Sequence, residues 1–208
     1  MADKVKCVIV SGAPETDLSY YKTYIDDAYI ICADSGYLKC QRAGVSPDLI
    51  IGDFDSAPFP DADCEIVKLN PRKDFSDTFY CVQYAVEKGF KNIIILGGIG
   101  SRFDHTYSNI MSVHYCFEHK INCALVNQNN YITILSGNNK IENKGFKYFS
   151  LFALFEKCEG LSIKNAEYEL NDTVIYPYEQ YTQSNEFKTG AAEILIKKGK
   201  ILLILSND

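Results

Sequence analysis

Five acidic residues stand just beyond short apolar runs. Asp34 follows Tyr29-Ile30-Ile31-Cys32, Asp53 and Asp55 follow Leu49-Ile50-Ile51, and Asp74 with Asp77 come after Ile66-Val67-Lys68-Leu69. If these runs are strands of one open parallel sheet, their carboxyl ends share an edge, and ligands bind at that edge. Separate segments would then deliver carboxylates to one place. At an effective dielectric of about 20, two carboxylates ~4 Å apart repel by about 4 kcal/mol. Such a cluster needs protons or cations to persist. Carboxylate oxygen is a hard ligand that suits Mg²⁺, which is commonly held together with substrate phosphates. The chemistry expected here is that of a metal–phosphate site.

A second segment adds phosphate-binding equipment. Leu96-Gly97-Gly98-Ile99-Gly100-Ser101-Arg102-Phe103-Asp104-His105 reads as a strand end, a glycine turn and a helix start. Glycines allow close backbone approach to a phosphate, a helix N-terminus favours anions, and Arg102 can chelate phosphate oxygens. Asp104 is the expected helix N-cap. The dinucleotide fingerprint is not met, because Phe103 occupies the place of its last small residue, and no Gly-Lys-Ser/Thr makes a P-loop. In Gly52-Asp53-Phe54-Asp55-Ser56 the carboxylates also fit solvated turn residues or a phosphotransferase nucleophile pair. In Lys73-Asp74-Phe75-Ser76-Asp77, Ser76 fits an N-cap and Asp77 a first-turn acid, which plain helix capping would also supply.

The elements that must carry these residues change character near residue 130. Before it, Val5–Val10, Tyr29–Cys32, Asp48–Ile51, Glu65–Leu69, Asn92–Leu96 and Cys123–Asn127 are strand-like. Phe79, Val82 and Val86, and again Ile110, Val113 and Phe117, recur at helical spacing, with Gly89 and Asn122 as expected stops. His114 and His119 fall late in the second helix, where contact with its C-terminal dipole is expected. Strand–helix alternation predicts a doubly wound, mostly parallel sheet of Rossmann-like type over residues 1–129. Residues 130–208 lack helical periodicity and are predicted to form an antiparallel β sandwich, with Glu193–Lys198 and Ile201–Leu205 as a hairpin turning at Gly199. At this size the second domain should lean on a neighbour or a second subunit.

The 208 residues, 47% hydrophobic, suffice for a substantial core. A formal charge of −6 and the lack of a basic block argue against a nucleic-acid surface. No run approaches the roughly 20 apolar residues of a membrane span, and no leader signature opens the chain. The 8 cysteines form no Cys-x-x-Cys and read as reduced core residues of a cytoplasmic protein.

Taken together, Ala33-Asp34-Ser35-Gly36, Gly52-Asp53-Phe54-Asp55-Ser56, Lys73-Asp74 with Ser76-Asp77, and Gly97 through His105 resemble, in order and approximate spacing, the motifs of thiamine pyrophosphokinases. Ser184-Asn185 resembles a Ser-Asn of that family's C-terminal domain. Ser101 departs from a usual glycine, Ser76 from a usual threonine, and the chain has no Trp to stack on thiamine. The resemblance implies transfer of a diphosphoryl group from ATP to thiamine, giving thiamine diphosphate and AMP. It also implies Mg²⁺ on Asp34, Asp53, Asp55 and Asp77, and phosphates on Gly97, Gly98, Gly100, Ser101, Arg102 and His105. Catalytic duty would fall to Asp74, Asp77, Arg102 and Asp104, with Asp74 and Asp104 both open as the base. Thiamine would meet Ser76, and Ser184, Asn185 and Phe187, at a site shared within a homodimer. Two rivals stand beside this reading: a haloacid-dehalogenase-like phosphatase with Asp53 as nucleophile, and a non-enzymatic nucleotide sensor.

Overall fold

The computed structural model describes residues 6–13, 16–55, 57–72 and 74–208. Val5, expected to open the first strand, and Ser56 and Lys73, expected within the acidic motifs, lie outside the described residues. The chain divides into two compact units, Met1–Gln128 and Asn129–Asp208. Together they make a mixed α/β protein.

In the first unit, β1 (Lys6–Val10), β2 (Tyr29–Ala33), β3 (Leu49–Gly52), β4 (Glu65–Lys68), β5 (Asn92–Leu96) and β6 (Asn122–Val126) lie in the order β4-β3-β2-β1-β5-β6. Every neighbouring pair is parallel. The chain steps outward from β1 through β4, then returns to the other side of β1 with β5. That reversal opens a crevice between β1 and β5 at the carboxyl edge, the usual ligand position in such sheets. Central strands are apolar along their length: Cys7 through Val10 and Leu49 through Ile51 are buried. A strand covered on both faces requires this. The edge strand β4 instead exposes Glu65 and Lys68.

Two short helices, α1 (Lys22–Ile25) and α2 (Tyr37–Ala43), are too brief to show periodicity in sequence. The longer α3 (Asp77–Glu87) begins as expected: Ser76 Oγ accepts a hydrogen bond from the Phe79 amide at 3.3 Å. Phe75 before the cap packs its ring on Tyr80, a hydrophobic staple that fixes the entry of the chain. Gly89, with φ of 84°, takes the left-handed position just past the end of α3.

α4 (Phe103–Glu118) differs from expectation at both ends. Asp104 is not its N-cap. Arg102 occupies that position without a side-chain cap bond, and Asp104 lies inside the first turn. Nor does Asn122 stop the helix. Lys120 makes the left-handed turn (φ 58°), and Asn122 already belongs to β6, its side-chain Nδ2 donating to Asn92 Oδ1 at 3.1 Å. His119 lies 2.8 Å from the Tyr115 carbonyl through Nδ1, whereas His114 pairs with Glu118 at 3.2 Å.

The second unit is antiparallel. It contains β7 (Asn130–Glu142), β8 (Tyr148–Ala153), β9 (Cys158–Lys164), β10 (Leu170–Ile175), β11 (Asn185–Glu186) and β12 (Ala191–Ser206). The expected hairpin at Gly199 is instead one bent strand. Both halves of β12 run antiparallel to β7, with an irregularity between Ile196 and Ile201. The first half also pairs with β9 and the second with β8. The extra residues shift side-chain parity, so Ala192, Ile194 and Ile196 face inward before the bend and Ile201, Leu203 and Leu205 after it. These meet Phe149, Leu151, Leu161 and Ile163 in one apolar core. All eight cysteines of the chain are free thiols, and seven are buried.

Candidate active site

The carboxyl edge of the parallel sheet holds a cleft of about 640 Å³. Its floor is set by close backbone approaches. A Cβ on Gly36 would stand 2.0 Å from the Val10 carbonyl oxygen, so only glycine lets the turn after β2 cross the end of β1. Beyond β5, Gly97 adopts φ of 67°, and a Cβ there would meet the Ser11 carbonyl oxygen at 2.5 Å. Two backbone bonds tie this turn to the end of β1: Ser11 N to Leu96 O (2.8 Å) and Ala13 N to Gly97 O (2.9 Å). α4 anchors it from the other side, with Asn109 Nδ2 donating to the Gly98 carbonyl at 2.8 Å.

Asp34, Asp53 and Asp55 converge. One carboxylate oxygen from each lies within 4.8 Å of the others. Asp34 and Asp53 are partly buried and Asp55 is exposed. Asp34 Oδ1 and Asp77 Oδ1 are shielded from solvent and outside any hydrogen bond, while both residues make other interactions. Asp77 lines the same cleft but stands apart from the converging trio. Ser76, Gly97, Gly98, Gly100, Ser101, Arg102 and His105 line it as well.

Asp74 and Asp104 do not line the cleft, and both are exposed. Asp104 is turned onto Arg102, accepting from Nε at 3.2 Å and from Nη2 at 2.6 Å. The guanidinium hydrogen bond holds the Asp104 carboxyl below its usual range, and the same contact raises Arg102. A carboxylate so stabilised is a poor proton acceptor near neutral pH.

Sequence reasoning missed Ser11, Gly12, Ala13, Ser35, Thr78 and Asn109, all of which line the cleft. Ser11 Oγ and Thr78 Oγ1 share a buried hydrogen bond of 2.6 Å. Ser11-Gly12-Ala13 becomes suggestive only when β1 is known to border the crevice. Asn109 could have been found as a polar residue on the inner face of α4.

The second unit holds the other candidates. Asn185 is buried, and its amide group is committed to backbone: Oδ1 accepts from Tyr168 N (3.0 Å) and Glu186 N (2.9 Å), and Nδ2 donates to Tyr168 O (2.7 Å). The Phe187 ring packs on Phe149, centroids 4.8 Å apart, at the edge of the apolar core. Ser184 is exposed, held at φ of 55°, with its amide on Ser150 Oγ at 3.0 Å.

Clustered carboxylate oxygens, a glycine turn ahead of a helix and an arginine at a sheet's switch point are the kind of equipment that phosphoryl transfer uses. Comparison with known proteins carries this further. Residues 21–125 match the family described as "Thiamin pyrophosphokinase, catalytic domain", and residues 138–201 match "Thiamin pyrophosphokinase, vitamin B1 binding domain". Thiamine pyrophosphokinase of Bacillus subtilis (strain 168) is 28% identical over 212 residues, covering 96% of this chain and 98% of that protein. The crystal structure of thiamine pyrophosphokinase from Bacillus subtilis superposes with a TM-score of 0.87 at 26% identity, covering 98% of this chain and 99% of that one. The Geobacillus thermodenitrificans structure of the same description gives 0.85 at 24% identity over 98% of each chain, a likeness of fold. The chain belongs to the thiamine pyrophosphokinase family, and its activity is that of a thiamine diphosphokinase. Neither the phosphatase nor the nucleotide-sensor reading is favoured by these matches.

Proposed function

We propose that the chain transfers the β and γ phosphoryl groups of ATP together to the hydroxyethyl oxygen of thiamine, releasing AMP. The observation that carries this reading is the convergence of Asp34, Asp53 and Asp55 beside the Gly97–Gly100 turn. Three carboxylate oxygens this close suit Mg²⁺, a hard cation that takes oxygen ligands and shares them with phosphates. Asp34, Asp53 and Asp55 would hold it, with Asp77 alongside. Bound there, the ion would neutralise charge on the triphosphate and on the transferring groups.

The remaining work belongs to the chain's own groups. Backbone N–H groups of Gly97, Gly98 and Ser101, in the turn that leads into α4, would donate to phosphate oxygens, while Gly100, whose N–H is held by Thr106 Oγ1 at 3.3 Å, would let the turn approach the phosphates closely. Arg102, oriented by Asp104, would add a charge-assisted contact, and His105 lines the same wall. Phosphoryl transfer depends mainly on in-line positioning and charge stabilisation, which these groups supply. Proton acceptance from the thiamine hydroxyl would fall to Asp77 or His105, which line the cleft, ahead of Asp74 and Asp104, which do not.

In this reading residues 1–129 form the Rossmann-like nucleotide domain and residues 130–208 a β-sandwich thiamine domain. The chain acts as a cytoplasmic homodimer paired through the C-terminal domains. Thiamine approaches Ser76 of one subunit and the Ser184–Asn185 turn of the other, where Ser184 offers its hydroxyl and Asn185 sets the shape of the turn. No helix among the described residues is long and apolar enough to cross a membrane. Incubation with ATP, Mg²⁺ and thiamine tests the reading. AMP should form only with thiamine present and should vanish with EDTA. Thiamine-independent release of inorganic phosphate would favour a phosphatase instead.

A further inference from the structure

Phe54 lies between two of the converging carboxylates and has a backbone φ of 58°. A bulky side chain rarely adopts this left-handed conformation, because its Cβ crowds the backbone. The effect on the neighbours is geometric. In extended chain, residues i and i+2 stand roughly 6–7 Å apart along the strand. A left-handed residue between them folds the chain back, and here oxygens of Asp53 and Asp55 come within 4.8 Å of each other and of Asp34. The Asp55 amide points toward Asp53 Oδ1 at 3.4 Å, a long contact that closes the same small turn.

Something must hold a self-repelling pair in a disfavoured turn. Upstream, Gly52 is pressed against Asp34, where a Cβ would stand 2.8 Å from the Asp34 Cα. Downstream, the Phe54 ring meets Phe59 edge to face, centroids 5.1 Å apart at 72°. Phe59 is itself 58% exposed, so the contact adds little to the core.

We propose that Phe54 is a positioning residue for the cation, its left-handed backbone clamped by the ring contact with Phe59 so that Asp53 and Asp55 face Asp34 before any ion arrives. The inference rests on reading that trio as a divalent-cation site. Mn²⁺ titration of the nucleotide-free protein, followed by electron paramagnetic resonance alongside the melting temperature, tests it. Phe59→Ala and Phe54→Ala should each weaken Mn²⁺ binding by about tenfold or more, the effect of losing a group that orients a metal ligand. Phe54→Tyr keeps the ring and should bind Mn²⁺ like the unaltered protein. Because Phe59 is largely exposed, Phe59→Ala should remain folded. Unchanged Mn²⁺ affinity in folded Phe59→Ala would overturn the inference and leave the ring pair as packing. If the unaltered protein showed no saturable Mn²⁺ binding, the cation reading itself would fall, and the inference with it.

Discussion

Gly52 and Asp34 touch backbone to backbone: a Cβ on Gly52 would stand 2.8 Å from the Asp34 Cα and 3.1 Å from its amide nitrogen. The ends of β3 and β2 are thereby brought closer than any side chain would permit, and the carboxylates that follow them are set in one cluster. Gly52→Ala should force the two segments apart. Displacements of about 1 Å at reacting groups can cost on the order of 10²-fold in rate. A loss of that size in kcat, with a cooperative melting transition retained, is expected from steady-state kinetics and calorimetry.

Asp53→Asn and Asp55→Asn should each lower kcat by at least roughly 10²-fold, the scale for removing a group that stabilises transferring charge. Both replacements also relieve repulsion within the trio. Without divalent metal the variants should therefore melt at the same temperature as the parent protein or higher. A clear fall in melting temperature with near-normal turnover at saturating Mg²⁺ would reduce these residues to turn-formers.

Arg102→Ala should impair kcat/KM more than Arg102→Lys, which keeps the charge but loses the planar fork. The partner predicts a distinct pH signature. Arg102 depresses the Asp104 pKa, so Asp104 stays ionised as pH falls and protonates only below the ordinary carboxylate range. The pair therefore persists from neutral pH through mildly acidic conditions and is lost only as pH drops through that lowered value. Asp104→Asn should reduce kcat/KM across the profile without moving its acid limb. Disappearance of that limb in Asp104→Asn would restore Asp104 as the proton acceptor.

Ser184 and Asn185 should separate under mutation. Asn185→Ala removes the buried side chain that accepts from the Tyr168 and Glu186 amides and donates to the Tyr168 carbonyl, and should lower the melting temperature. Ser184→Ala removes an exposed hydroxyl and should alter the KM for thiamine with stability nearly unchanged. If the site is shared between subunits, mixing Asp53→Asn with Ser184→Ala protein should return a share of the sites to the parent KM for thiamine after subunit exchange. Proven exchange without recovery would place the site within one chain.

Much of this was legible in the chain because strand ends announce themselves. The apolar runs before Asp34 and Asp53 are strands buried at every position but Tyr29, and a sheet covered on both faces leaves no alternation to misread. Ser76 was readable as a cap because capping is local. Asp104 was misread because Arg102 competes for its carboxylate, a pairing that helix-start rules do not contain. The bend at Gly199 looked like a hairpin because a parity change and a reversal leave the same apolar–glycine–apolar pattern. Only pairing with β7 on both sides distinguishes them. Ser11 and Thr78 stayed hidden because their contact joins residues 67 apart in sequence.

The fate of the β phosphorus tests the central claim most directly. The chain, Mg²⁺ and thiamine would be given ATP labelled at that atom, and the products separated. Attack of the thiamine hydroxyl on the β phosphorus predicts label in thiamine diphosphate and unlabelled AMP in equal amount, both formed at least roughly 10²-fold more slowly by the Asp55→Asn variant. Label retained in ADP, with thiamine monophosphate as the other product, would contradict the account.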